Sequence, residues 1–285
     1  MTKNPLIAAC NPHYTGDTNE DGLPHGHGVY ESPDGGRYEG QWKNGYRWGD
    51  GVYERPDGLR YEGQHKDGKV HGHGVMEFAS GNCYKGLWKY GEPNGHGVYE
   101  YANGSRYKGR WKDGKAHGHG VMEFAGGNRY EGKYKDDKKH GHGVMEFAGG
   151  DRYEGQWKDN KKHGHGVMEF AGGNRYEGQW KDGSAHGKGV YEFADGDRYE
   201  GQWKDDKRHG QGVYESANGD RYEGQYKDGL PHGRAILVES DGDRFTTLWE
   251  NGKLVYMEEL QSRMDDLTLE QLLKHSESIV QERYQ

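Results

Sequence analysis

The chain has 285 residues, a formal net charge of −8, 51 Gly, 22 Tyr, 8 Trp and only 30% apolar residues. Such a composition excludes a wide Leu/Ile/Val core, and without a basic excess the chain is not built to attract nucleic acid. Its 13% aromatic content argues against disorder.

Residues 1–13 carry no internal repeat and read as an N-terminal tail. The apolar run within Met1–Cys10 is too short for a signal peptide, and no stretch approaches membrane-spanning length. Thr2 stands where myristoylation needs glycine. Cys10 and Cys83 lie far apart and form no metal-type pair, which suits free thiols in a reducing compartment. The expectation is a cytoplasmic protein.

From Tyr14 a single sentence repeats. The slot Tyr38, Tyr61, Tyr84, Tyr107, Tyr130, Tyr153, Tyr176, Tyr199, Tyr222 and Phe245 recurs every 23 residues without insertion or deletion. A fixed period of this size signals a repeat array in which each unit leans on its neighbours. The first unit, opening at Tyr14, holds one extra residue and lacks Trp, as a capping repeat does.

Each unit predicts two strands. Tyr153–Trp157 alternates aromatic or glycine with polar residues, a period of two, and Gly166–Phe170 reads as a second short strand. Lys158–His163 between them is expected to be a polar loop. Ala171–Asn174, with Asp-Gly or Asn-Gly in equivalent slots such as Asp57-Gly58, is expected to be the tight hairpin turn. Gly155 should leave room for an aromatic ring of the adjacent strand, while Gly164 and Gly166 should supply unusual backbone angles. Whether Met168 and Phe170 share the Tyr176/Trp180 face depends on turn length, because a one-residue slip exchanges the faces. The predicted fold is mainly β: an elongated, twisted antiparallel sheet of about ten 23-residue hairpins, ~10 Å per repeat, with a short C-terminal helical tail.

The array is assigned to residues 14–253 and the tail to 254–285. In the tail, Thr268 and Gln271 form a capping box, and Leu269, Leu272, Leu273, Ile279 and Val280 share one helical face. That helix is expected to dock a partner, a second copy or its own array.

The Tyr-Glu-Gly-x-Trp…His-Gly-x-Gly sentence resembles the MORN repeat (membrane occupation and recognition nexus), from about Tyr14 to Trp249. His65, Tyr134 and Tyr226 replace Trp, and Trp48 and Asn94 replace the loop His. The resemblance implies elongated sheets of successive hairpins and scaffolding roles in ciliary axonemes of the radial-spoke type, other cytoskeletal structures or membrane junctions. It also implies helical partner segments lying along a groove. The candidate groove residues are Tyr107, Trp111, Tyr130, Tyr134, Tyr153, Trp157, Tyr176, Trp180, Tyr199 and Trp203.

No phosphate-binding loop, nucleophile elbow or zinc-protease motif occurs, and the residues outside the array are too few for a catalytic domain. No enzyme activity and no cofactor are therefore expected. Pairs such as His71/His73 and His163/His165 place two rings on one strand face, but a zinc site needs three or four ligands, so no metal is expected either. The loop His should instead bond backbone. Protonating all 17 His would carry the formal charge from −8 to +9, so acid should remodel assemblies. The function expected is a non-catalytic scaffold presenting an aromatic groove to cytoskeletal proteins, homodimerisation included. The alternative is a peripheral membrane tether that binds anionic phospholipid through a Lys/His edge. Acidic neighbours in stretches such as Lys135–Lys139 weigh against it.

Overall fold

The computed structural model describes residues 13–260. It contains 22 strands, and the chain divides into two compact units, Met1–Gly141 and His142–Gln285. Within each unit the strands pair antiparallel with their neighbours in sequence, so each unit is a meander of hairpins, as the repeat predicts. The residues of the predicted tail helix, Leu269 to Val280, lie outside the described residues.

One period is a seven-residue strand, a two-residue turn, a nine-residue strand and a five-residue connection, seen in Arg152–Lys158, Lys161–Glu169 and the return at Arg175. Two assignments of the sequence analysis change here. The loop expected at Lys158–His163 shrinks to Asp159-Asn160, both at positive φ (49° and 69°), and the second strand begins at Lys161. Two consecutive left-handed residues make the turn that best matches strand twist, and Asp and Asn tolerate that conformation. The connection expected to be tightest, Ala171–Asn174, is the longer one. There Gly173 donates to the Phe170 carbonyl at 2.8 Å, and Phe170 donates to the Asn174 carbonyl at 2.9 Å.

The short turns also tie one hairpin to the previous one. Gly183 donates to the Lys162 carbonyl at 2.9 Å, and Gly68 to that of Arg47 at 3.1 Å. Where two acidic residues occupy the turn, Asp206 does more, accepting from the Ala185 backbone at 2.7 Å.

Register places Met168 directly opposite both Tyr153 and Tyr176, and Phe170 packs against Tyr191, so the Met and Phe slots share the tyrosine face. The core is this face. The tyrosines from Tyr38 to Tyr222 in the 23-residue slot are at most 7% exposed, and most tryptophans are buried beside them. Tyr153 meets Trp157 edge-on at 5.1 Å and Trp180 of the following hairpin at 5.3 Å. Trp180 Nε1 donates to the Gly166 carbonyl at 3.1 Å, and Trp42, Trp88, Trp111, Trp157 and Trp203 bond a glycine carbonyl one hairpin back in the same way, whereas Trp249 donates to Thr247 Oγ1.

The glycines explain how the rings fit. A Cβ on Gly155 would lie 2.6 Å from Tyr153 Oη, and one on Gly166 only 2.4 Å from it. The ring over the Gly155–Gly166 pair thus belongs to the same strand, rather than to the adjacent one as the sequence suggested. Its hydroxyl donates to the Gln156 carbonyl at 3.0 Å, which clamps the ring down on its own strand. Gly164 does adopt positive φ (63°), whereas Gly166 is needed for space.

The final unit shows what happens when the space is lost. Ala235 replaces the second glycine, and a Cβ on Gly224 would meet the Ala235 Cβ at 2.2 Å. Tyr222 is accordingly the most exposed of the buried slot tyrosines, at 7%. The repeat then persists one strand beyond Trp249, where the sequence pattern seemed to end. Asn251-Gly252 turns at positive φ, and Lys253–Glu259 pairs with Arg244–Glu250. Residues 254–259 of the segment expected to be helical are therefore strand.

Overpacking the tyrosine pocket should be costly. Gly166→Ala is expected to destabilise the protein by about 1–3 kcal/mol, because Tyr153 must leave its position. Thermal unfolding measures the loss. Gly172→Ala, where an added Cβ meets nothing within 4 Å, should leave the midpoint nearly unchanged.

Candidate functional site

Adjacent strand residues point to opposite faces. The residues flanking each tyrosine and its glycine therefore build a second surface on the other side of the sheet. In the first unit, the row reads Glu39, Val52, Glu62, Val75, Lys85, Val98, Lys108, Val121, Glu131, each opposite the next across the strands. This row and the glycines beside it line a cleft of about 1220 Å³. His27, Asp50, His73, His96, Arg110 and His119 form one margin. The second unit repeats the arrangement in a cleft of about 730 Å³, lined by Val190, Val213, Glu177, Glu200, Glu223, Lys188 and Gln211 among others.

The margin is held by glutamines. Gln156 Oε1 accepts from the His165 backbone at 3.3 Å, and Gln64 Oε1 from that of His73 at 3.1 Å, which secures the kinked start of these long strands. The opposite border consists of ion pairs within and between strands, such as Arg152–Glu154 at 2.5 Å on one strand and Arg152–Glu169 at 3.5 Å across to the next. Exposed pairs of this kind fix side-chain positions and add little stability.

The predicted groove aromatics occupy the other face. Tyr107, Trp111, Tyr130, Tyr134, Tyr153, Trp157, Tyr176, Trp180 and Tyr199 are buried, and Trp203 is half-buried. Burial pushes the phenols of Tyr107, Tyr134, Tyr153 and Tyr176 well above the usual range and that of Tyr199 to about 12, so these tyrosines stay neutral. Basic side chains cover them: Lys162 Nζ sits 3.8 Å from the Trp180 ring centre, and Arg208 lies over Tyr199, Tyr214 and Tyr226. Smaller hollows of about 420–440 Å³ do open on this face, one beside Tyr53, Tyr61 and Met76, another beside Tyr222, Leu237 and Trp249. The larger valine-floored clefts were missed because Val and Glu look like ordinary filler. The cue was that Val recurs at one slot from Val29 to Val213.

The histidines of a pair play different parts. The second, such as His73, lines the cleft. The first turns toward a neighbouring turn: His71 Nδ1 accepts from the Tyr90 backbone at 3.4 Å, and His232 Nδ1 from that of Asn251 at 3.4 Å. This is the backbone bond that the sequence analysis expected. It does not hold throughout, because Nδ1 of His117, His140, His163, His186 and His209 is buried without a hydrogen bond. Asp136 stands 3.6 Å from His117, and Asp205 3.8 Å from His186. Among the described residues no three His, Cys, Asp or Glu side chains converge as metal ligands.

His65, in a tryptophan slot, is the exception. It is 3% exposed, meets Tyr38 and Tyr61 edge-on at 5.0 Å each, and donates from Nδ1 to the Gly63 carbonyl at 3.2 Å. Burial, and then the nearby Arg47 guanidinium, lower its pKa to about 4. In the unfolded chain the ring titrates near pH ~6.5. Between these values the unfolded state binds the extra proton, so the stability that neutral His65 contributes above about pH 6.5 is lost as pH falls toward about 4. His65→Trp should therefore reduce the fall in melting temperature between about pH 7.5 and 5. Equal falls in the two proteins would contradict the assignment.

Ten successive segments match the MORN repeat: residues 20–37, 38–60, 61–83, 84–106, 107–129, 130–152, 153–175, 176–198, 199–221 and 222–244. No match is found among curated proteins. Among solved structures, one similar chain is the TCP10 domain of Danio rerio CPAP in complex with a peptide of Danio rerio STIL. It is 14% identical, with a TM-score of 0.43, over 81% of this chain and 98% of that one. The SAS-4 (dCPAP) TCP domain of Drosophila melanogaster is 15% identical, with a TM-score of 0.35, over 54% of this chain and 84% of that one. Streptogramin B lyase also matches at 12% identity, with a TM-score of 0.16, over 84% of each chain. Neither the identities nor the superpositions reach a level that transfers a function.

Proposed function

Because the chain belongs to the MORN repeat family, we propose that it is a non-catalytic scaffold that docks segments of partner proteins in its repeat-lined clefts. The observation that carries this reading is the pair of valine-floored clefts, one in each unit, bordered by charged side chains. A repeated apolar floor with a polar rim is how an extended interface combines affinity with register. The family resemblance supports a cytoskeletal setting, with a ciliary axoneme of the radial-spoke type as its most specific form. The helix expected from about Leu269 to Arg283 would serve as a second docking element or join two copies.

The membrane-tether alternative finds less support. Lys139 and Lys162 are laid over aromatic rings, and burial lowers both of their pKa values, so these lysines are poorly placed to reach a lipid headgroup.

A photo-cross-linker installed at Val98, in the cleft, and another at Asp182, in an exposed turn, test the docking reading in cell extract. Cross-links to cytoskeletal proteins from Val98 and not from Asp182 are expected. Lipid adducts, or the same products from both sites, would contradict it.

A further inference from the structure

The cleft of the first unit is not uniform along its length. The residue after the slot aromatic is Glu in seven of ten repeats, from Glu39 to Glu223, and Lys in two consecutive ones, Lys85 and Lys108. Both lysines line this cleft. Where Glu stands, the Arg two residues earlier is shared between it and a second Glu, as Arg60 is between Glu62 at 2.6 Å and Glu54 at 3.2 Å, so the cluster keeps a net negative charge. At Lys85 that position is Cys83, and beside Lys108 the guanidinium of Arg106 turns away to Glu100 at 3.4 Å and Glu123 at 3.8 Å. The next slot changes too. Leu87 and Arg110 stand where Gln41 and Gln64 brace the margin, and exposed Arg110, among the described residues, donates from Nε to His96 Nε2 at 3.3 Å. Lys85 and Lys108 are exposed, and among the described residues neither forms an ion pair.

The cleft thus reads acid–base–acid: Glu39, Asp50 and Glu62, then Lys85, Lys108 and Arg110, then Glu131. We propose that it docks a peptide segment of a partner protein that is acidic at its centre and basic at its ends, with the central carboxylates on Lys85, Lys108 and Arg110 and its apolar residues on Val75, Val98 and Val121. This deepens the docking reading above and rests on it.

Geometry narrows the segment further. Glu62, Lys85, Lys108 and Glu131 are successive members of one row, each two strands from the next, so ~10 Å apart. A peptide in the polyproline II conformation advances about 9 Å in three residues and brings every third side chain back to the same face. The complementary pattern is therefore Lys-x-x-Glu-x-x-Glu-x-x-Lys, with apolar residues between the charges, and its symmetry lets it bind in either direction. A nucleic-acid strand is uniformly anionic, so the acidic ends of the cleft repel it, and the cleft offers no aromatic platform for bases. An anionic membrane surface meets the same carboxylates and is too flat to reach the valine floor.

The test is fluorescence anisotropy on the full chain, with a labelled Lys-x-x-Glu-x-x-Glu-x-x-Lys peptide and its charge-inverted Glu-x-x-Lys-x-x-Lys-x-x-Glu counterpart. The first should bind about tenfold tighter, a gap that closes at ~1 M salt. In Lys85→Glu/Lys108→Glu the preference should disappear or invert. This variant restores the residue that seven other repeats carry, so it is expected to fold. Equal binding of the two peptides, or a preference that survives in the variant, overturns the charge assignment. Displacement of the peptide by phosphatidylserine vesicles or by a single-stranded oligonucleotide, more effectively than by unlabelled peptide, overturns it as well. Charge-independent binding that Val98→Arg abolishes would leave docking in the cleft standing while removing its acidic partner. No peptide binding, together with no partner cross-linked from Val98, would overturn both.

Discussion

The structure depends on one contact: a tyrosine ring lying flat over two glycines that face each other on adjacent strands. Tyr153 covers Gly155 and Gly166, Tyr38 covers Gly40 and Gly51, and Tyr61 covers Gly63 and Gly74. An isolated hairpin is marginal in water, and a composition this poor in aliphatic residues offers no other core. The ring over the glycine pair supplies one within the thickness of a single sheet. It buries an aromatic without a second layer, and the tyrosine hydroxyl closes the arrangement on its own strand.

Because slot tyrosines also meet the ring in the tryptophan slot of the next hairpin, and indoles such as Trp180 and Trp203 bond a glycine carbonyl one hairpin back, the interaction propagates in one dimension. The tyrosine face is thereby committed to holding neighbouring hairpins together. The opposite face is left with Val, Glu, Gln and His, which support no comparable core. That division locates the clefts: they lie where the sheet has no structural use for its side chains.

The period, the hairpins and the buried tyrosine face were legible in the sequence, because a 23-residue repeat with alternating Tyr-x-Gly-x-Trp leaves one register open per strand. The turns were misread for a physical reason. Asp-Gly or Asn-Gly pairs occur in both connections, at Asp67-Gly68 and Asp182-Gly183 in the short turn and at Asp57-Gly58 and Asn103-Gly104 in the longer one, so glycine content alone does not tell the two apart. The site was less legible. The aromatic residues hold the repeats together, as their pattern implied, while the larger clefts on the opposite face are lined by Val with Glu. The Lys85/Lys108 exception was visible as a change of charge sign. It acquired meaning only when register put both lysines into one row of one cleft.

The account's central claim is that stability resides locally in the tyrosine–glycine contact. Amide hydrogen exchange on Tyr153→Ala tests it most directly. Protection should fall in Arg152–Lys158, in Lys161–Glu169 and in the strand Arg175–Lys181 that follows, while strands from Arg37–Lys43 to Arg60–Lys66 keep theirs. Loss of protection throughout the chain, or no loss anywhere, would contradict it.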